Sequence, residues 1–383
     1  MNEFTLSIVE RNRTTRIITE VAAAALGAGL LALALALDQR WLDRHFLPWF
    51  FLSRASIVGI ETSVRVGFAA IGVALLWLRR RIGRLVAQAP LMMLSVAAAA
   101  VLAVAAGEFA LRHLHLQPAA WLFAEQEPRR RYDATLGWTL VPSRVGRKTI
   151  GGRQIDYAID PSGYRVRRID EPVDRERPTI LFTGESVMFG EGLTWDESIP
   201  ARVQAITATQ SANLAVHGYG NDQAYLRLLA DLPRFRRPVA VVSLFMTSLF
   251  ERNLEDDRPH LAPGLAPMPP ERRGRLASLA MVLLPYRTDR DVDDGVAMTR
   301  DVLRATIQLA SSRGATAVIV VPQLGREDPL EHALRTRILE AAAIPYVWVE
   351  VDGRWRLPGD RHPDARAAQL IASAIAARLH PAP

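Results

Sequence analysis

"TILFTGESVMFGEGL", residues 179–193, carries an apolar run into Gly-Glu-Ser and then into further glycines. A run apolar throughout, rather than alternating, marks a strand covered on both faces, as in a parallel sheet between helices. The sequence on its C-terminal side repeats the theme. A helical pattern near 196–208 leads to "ANLAV" (212–216), and a second near 222–232 leads to "VAVVSLF" (239–245). After an irregular, proline-rich stretch from Asn253 to about Asp294, a helix near 298–313 precedes "ATAVIVV" (315–321). A helix near 329–342 then precedes "PYVWVEV" (345–351), and a closing helix runs from about 363 to 379. Apolar strands separated by helices predict a three-layer α/β/α sandwich with a parallel sheet of about five strands.

The sequence on the N-terminal side is of another kind. Residues 17–37, with only Glu20 intruding near the start, and 89–110, uncharged from Ala89 to Gly107, are apolar runs long enough to cross a bilayer. Between them, 57–78 is mostly apolar but carries Glu61 and Arg65, which are costly in lipid unless paired one helical turn apart or held near the interface. An amphipathic helix on the surface is the other reading of that segment. Arg11, Arg13 and Arg16 before the first run, and Arg79, Arg80, Arg81 and Arg84 before the third, both belong on the cytoplasmic side by the positive-inside rule. An even number of crossings must separate them, so the middle segment crosses and the chain beyond Glu108 emerges on the outer face. The expected organisation is a membrane domain over 1–112, a connector with short strands over 113–177, and an α/β domain over 178–383. The expected location is a bacterial inner membrane, multi-pass, with a cytoplasmic N-terminus and a periplasmic C-terminal domain. Glu61, Arg65 and Glu108 mark a contact between helices or with a membrane-protein partner.

Composition excludes several functions. The 383 residues include no cysteine, which rules out disulfides, thiolate ligands and a cysteine nucleophile. A net charge of +7 comes from arginines that are scattered or flank apolar runs, without interleaved aromatics, which argues against nucleic acid. HExxH, GxxxxGK[ST] and GxGxxG are all missing, so neither a metal nor a nucleotide cofactor is expected.

In an open α/β sheet, ligands bind beyond the carboxyl ends of the strands, and Ser186 stands there after the first strand of the domain. It caps a helix, binds phosphate through its turn, or serves as a nucleophile. A nucleophile needs a base and the base an orienting carboxylate. "GDRHPDA" (359–365), after the last strand, supplies His362 and Asp360 on the same edge.

These residues resemble the SGNH hydrolases, the GDSL-type esterase superfamily. "FTGESVMFGEGL" (182–193) is similar to the first block, with Glu185 where aspartate is more usual and Ser186 as nucleophile. "NLAVHGYGNDQAYL" (213–226) is similar to the second, placing the oxyanion glycine at Gly218, with Gly220 as its neighbour. "GDRHPDARAAQLIA" (359–372) is similar to the last, implying His362 as base and Asp360 as carboxylate. "LGW" (136–138) and "PSGYR" (161–165) resemble the lead-in of membrane-anchored members. The third block departs from the family: "VVSLFMTSLFERN" (241–253) has Thr247 and Ser248 where an asparagine amide would donate to the oxyanion, which leaves the Thr247 or Ser248 hydroxyl, or Asn221 or Asn253 from flanking loops, as the candidate donor beside the Ser186 and Gly218 N–H groups.

The resemblance implies a serine esterase or O-acyltransferase acting, through an acyl-enzyme, on acetyl or other acyl esters of an envelope glycan or lipid. A lipase or thioesterase that meets acyl chains at the membrane is a second possibility. A catalytically impaired subunit that binds or assembles within a membrane complex is a third.

Overall fold

The computed structural model describes residues 3–48, 50, 53–113, 127–271, 274–283 and 286–379. The chain forms two compact units. One comprises Met1–Phe46, Leu52–Leu122 and Gly274–Tyr286; the other comprises Leu47–Phe51, Phe123–Arg273 and Arg287–Pro383.

The first unit is helical: α1 (Glu3–Ala36), α2 (Gln39–His45), α3 (Arg54–Gln88) and α4 (Pro90–His113), with a short helix at Arg275–Leu283. Asn12–Ala36, Arg54–Gln88 and Pro90–His113 are each long and apolar enough to cross a membrane. Helices α1 and α3 cross glycine on glycine. A Cβ at Gly27 would come within 2.8 Å of the Gly72 carbonyl, and one at Gly72 equally close to the Gly27 carbonyl, so only glycine lets the backbones approach this far. Glu61 and Arg65 do not pair with each other. Glu61 is buried and accepts a hydrogen bond from Gln39 Nε2 at 2.9 Å, while Arg65 donates to the Ala34 carbonyl at 3.2 Å, in the last turn of α1. These bonds offset part of the cost that the sequence exposes, although Glu61 Oε1 is buried with no hydrogen-bond partner among the described residues. Glu108 accepts from the backbone N–H groups of Arg275 and Leu276, capping the helix that begins there.

The second unit is α/β. Its strands are β1 (Arg130–Asp133), β2 (Gly137–Leu140), β3 (Arg144–Ile150), β4 (Arg153–Ile159), β5 (Arg165–Val166), β6 (Pro178–Thr183), β7 (Gln210–Asn213), β8 (Arg237–Leu244), β9 (His260–Ala262), β10 (Ala266–Met268), β11 (Thr316–Leu324) and β12 (Val347–Val351). The main sheet has the order β12-β11-β8-β6-β7-β5-β4-β3. Its first five members are parallel, as the apolar runs predict. The sheet is nonetheless larger than five strands: β5, β4 and β3, from the stretch read as a connector, extend it antiparallel beyond β7.

Helices α6 (Ile199–Thr207) and α10 (Ala365–Leu379) pack together on one face, and α7 (Asn221–Asp231) and α8 (Asp289–Ser312) on the other, with the short α9 (Pro329–Arg335) between β11 and β12 in the chain. The side chains of β6 alternate between the two: Ile180 and Phe182 join the core that holds Ile371 and Ile375, and Leu181 joins the core that holds Leu228 and Ala310. The parallel strands run 2-1-3-4-5 in chain order, so the direction of winding reverses between β6 and β8. Their carboxyl ends are the expected ligand site, and Ser186 follows β6.

Phe50 belongs to this unit although its place in the sequence lies between α2 and α3. It is 3% exposed within the main core, its ring centroid 5.2 Å from that of His362 and 5.9 Å from the Arg356 guanidinium carbon. Phe50→Ala is expected to destabilise the α/β unit by about 3–5 kcal/mol, the usual cost of emptying a buried phenylalanine site. Chemical denaturation in detergent, followed by tryptophan fluorescence, checks this; an unchanged midpoint would contradict the packing described.

Candidate active site

Strand β6 ends at Thr183, and the chain turns through Gly184 and Glu185 into a single helical turn, α5 (Ser186–Phe189). The turn requires glycine. Gly184 has φ +152°, and a Cβ there would lie 3.1 Å from the Met188 Cβ and 3.2 Å from the Leu244 Cβ. The turn presents the Ser186 side chain beyond the sheet edge. The loop after it is fixed from beneath by Arg165, which is fully buried and donates to the carbonyls of Phe189, Gly190 and Leu193 at 2.6–2.8 Å. Burial is the chief influence on this guanidinium and brings its pKa down to about 10, still cationic at neutral pH. Asn213, at the end of β7, adds Nδ2 contacts to the Met188 and Phe189 carbonyls.

Ser186, His362 and Asp360 are brought into one hydrogen-bonded chain. Ser186 Oγ lies 2.8 Å from His362 Nε2, and His362 Nδ1 lies 2.6 Å from Asp360 Oδ1. Asp360 also accepts the His362 backbone N–H at 2.8 Å, which locks the two-residue spacing between acid and base into a tight turn. That turn lies between β12 and α10, beside an isolated bridge between Arg356 and Pro363. Burial pushes the Asp360 carboxyl up, but the hydrogen bond and charge of His362 outweigh it and hold the carboxyl at about 2. Asp360 is therefore an anion throughout the neutral range and fixes the imidazole with its proton on Nδ1 and a lone pair on Nε2, facing Ser186.

Gly218, in the loop between β7 and α7, has φ +83° and is covered on its α-carbon by Trp138: a Cβ would lie 3.3 Å from the indole and 3.7 Å from Arg130 Nη1. Among the described residues, neither the Ser186 N–H nor the Gly218 N–H is held by a protein acceptor. Two such donors at a sheet edge can hold a developing oxyanion.

Thr247 follows β8, at the position the third block would occupy. It is 3% exposed at the start of the 3-10 helix Thr247–Leu254, and among the described residues no hydrogen bond links it to Ser186. The cleft beside Glu185 is lined instead by Gly184, Asn221, Leu244, Met246 and Asn253. The two amides there are engaged: Asn221 Nδ2 donates to the Leu244 carbonyl at 3.0 Å, and Asn253 Nδ2 to Asn221 Oδ1 at 3.0 Å and Thr299 Oγ1 at 2.9 Å. Both hydrogens of Asn253 Nδ2 are thereby used, whereas Asn221 Nδ2 commits one of its two and lines the cleft with the other.

Sequence reasoning assigned no role to three neighbours of the site. Arg165 lies within the quoted "PSGYR", which pointed to its position but not its burial. Phe50 gave no signal, being 312 residues from His362 in the chain. Glu185 was visible as a departure from aspartate, but not its reach: Oε2 lies 2.6 Å from Ser186 Oγ and 2.9 Å from the Val187 N–H.

No family model and no curated protein matches the chain. Among solved structures, a protein of the G-D-S-L family from Desulfitobacterium hafniense DCB-2 is similar at 12% identity and TM-score 0.34, over 52% of this chain and 98% of that one. A carbohydrate esterase family 2 enzyme with a carbohydrate-binding domain, from Corynascus thermopiles (Myceliophthora fergusii), is similar at 15% identity and TM-score 0.35, over 57% of this chain and 68% of that one. An acetyl xylan esterase from the rumen bacterium Butyrivibrio proteoclasticus is similar at 12% identity and TM-score 0.34, over 55% of this chain and 64% of that one.

Proposed function

We propose that this chain is a membrane-anchored serine esterase of the SGNH type. In this reading the α/β unit faces the periplasm and removes or transfers acyl groups, acetyl first among them, on an envelope glycan or lipid. The observation that carries the proposal is the Asp360–His362–Ser186 chain of hydrogen bonds at the carboxyl edge of the sheet, at 2.6 and 2.8 Å. A structural serine caps a helix with its hydroxyl; here the cap of α5 comes from Glu185, and the Ser186 hydroxyl faces an imidazole. The arginine clusters before the first and third spans support the orientation.

The chemistry follows from the atoms. As Ser186 Oγ bonds to the ester carbonyl carbon, its proton moves to His362 Nε2, and the carbonyl oxygen becomes an oxyanion held by the Ser186 and Gly218 N–H groups. Asp360 stabilises the imidazolium through Nδ1–H. The intermediate collapses as the carbon–oxygen bond to the alcohol breaks, and His362 gives that alkoxide its proton. The acyl-enzyme is then attacked by water, or by an acceptor hydroxyl, whose proton goes to His362. Collapse of this second intermediate returns a proton to Ser186 Oγ.

The cleft beside Glu185 is lined by Tyr219, Met246 and Leu249, and in this reading it receives a short acyl group rather than a long chain. Turnover of p-nitrophenyl esters by the full chain in detergent is therefore expected to be highest for acetate and to fall steadily toward octanoate. A maximum at long chains would favour a lipase or thioesterase. Folded protein inert toward every ester would favour a binding or assembly subunit.

A further inference from the structure

Ser186 Oγ has two partners that both look like acceptors. With His362 neutral, as a base awaiting the serine proton must be, Nδ1–H is committed to Asp360 and Nε2 presents its lone pair 2.8 Å from Oγ; Glu185 Oε2 is 2.6 Å from Oγ on another side. The serine hydroxyl has one hydrogen and satisfies one of them only. Were Glu185 ionised, the hydroxyl would donate to the charged carboxylate, and His362 would lose the proton it must take. A proton on Glu185 removes the conflict, because the carboxyl then donates to Oγ while Oγ donates to Nε2. The surroundings agree. Glu185 is 7% exposed, its Oε1 is buried with no hydrogen-bond partner among the described residues, and Oε2 still accepts the Val187 N–H, as a carboxyl oxygen can in either state.

We propose that Glu185 works as a neutral acid, donating its O–H to Ser186 Oγ in the resting site and to the oxyanion once Ser186 attacks, in place of the missing third-block amide. This rests on the esterase reading. On attack, Oγ becomes a poor ester-type acceptor while the carbonyl oxygen gains a full negative charge, so the same donor binds the transition state better than the resting state. Aspartate, one methylene shorter, is the residue more usual there. Glutamate extends the carboxyl toward Oγ in a chain that has Thr247 and Ser248 where the amide would stand.

The groups acting on Glu185 from the surrounding elements are Ser186 and Val187 on α5, His362 from the loop before α10, and Arg252 from the 3-10 helix Thr247–Leu254, with neutral Tyr219, Asn221 and Asn253 lining the cleft. Burial is the largest influence and raises the Glu185 pKa; the hydrogen bonds, the Arg252 charge and, when it is protonated, His362 offset part of that rise. The active form is the protonated one, so activity falls as pH rises through the Glu185 pKa.

The test compares wild type, Glu185→Gln and Glu185→Ala, all full-length in detergent. Gln keeps a neutral donor, so it should lose far less kcat than Ala, for which a drop of about 10²–10³-fold is expected. Gln should also abolish the alkaline decline. Infrared difference spectra of wild type minus Glu185→Gln should show a protonated-carboxyl C=O band at neutral pH, a readout that needs no turnover. The proposal is overturned if Gln falls as far as Ala, if Ala matches wild type, or if the band is missing. Failure of the esterase reading looks different, since Ser186 then takes no fluorophosphonate and no variant turns over ester, while the infrared band still reports the Glu185 proton.

Discussion

Ser186→Ala should lower kcat for p-nitrophenyl acetate by on the order of 10⁶-fold while leaving the fold unchanged. The size follows from the role. With the hydroxyl gone no acyl-enzyme forms, and what survives is the catalysis over water that oxyanion donors and binding provide alone, about 10³–10⁴-fold in serine hydrolases stripped of the nucleophile. The fold should hold because the side chain bonds only outward, to His362 and Glu185, and the cap of α5 is the Glu185 carboxyl. Circular dichroism and the unfolding midpoint check that half of the expectation; turnover at matched protein concentration checks the other.

The second large effect is expected from Asp360→Asn. The amide preserves size and the turn that Asp360 makes with the His362 backbone, but it offers Nδ1 a weaker acceptor or, flipped, a donor. The imidazole then places its proton on Nε2, facing Ser186, where it no longer accepts. A fall of about 10⁴-fold in kcat is the known scale for this change of tautomer. Because His362 holds the Asp360 carboxyl at about 2, the wild-type residue remains an anion down to strongly acidic pH, and the Asn variant should be impaired at every pH above that. A loss smaller than tenfold would mean that Asp360 does not orient the base.

Much of this was legible in the chain because burial writes itself into sequence. The five parallel strands are covered on both faces, so each appears as an apolar run, and Ser186, Asp360 and His362 could be assigned to one edge by their places after such runs. Strands β3 and β4 were harder. "RVGRKTI" and "RQIDYAI" bury only some of their side chains, as half-exposed strands do, and they reach the sheet through β5, a pair of residues too short to leave a pattern. The buried guanidinium beneath the site was least legible. Arg165 reads as a surface residue in a loop, yet three buried carbonyls require it, and nothing local announces that. Thr247 holds the third-block position in the chain, while Asn221 and Asn253 line the cleft beside Glu185 from elsewhere in the sequence. The direction of a side chain beyond a turn is set by packing among distant segments, and no spacing rule records it.

The central claim is that Ser186 is a nucleophile activated by His362. It is tested most directly by treating the detergent-solubilised full chain with a fluorophosphonate probe and mapping the adduct by peptide mass spectrometry. The account predicts one stoichiometric adduct on Ser186, lost in Ser186→Ala and slowed by orders of magnitude in His362→Ala. Folded wild-type protein that takes no label, or takes it with equal speed when His362 is replaced, would contradict it.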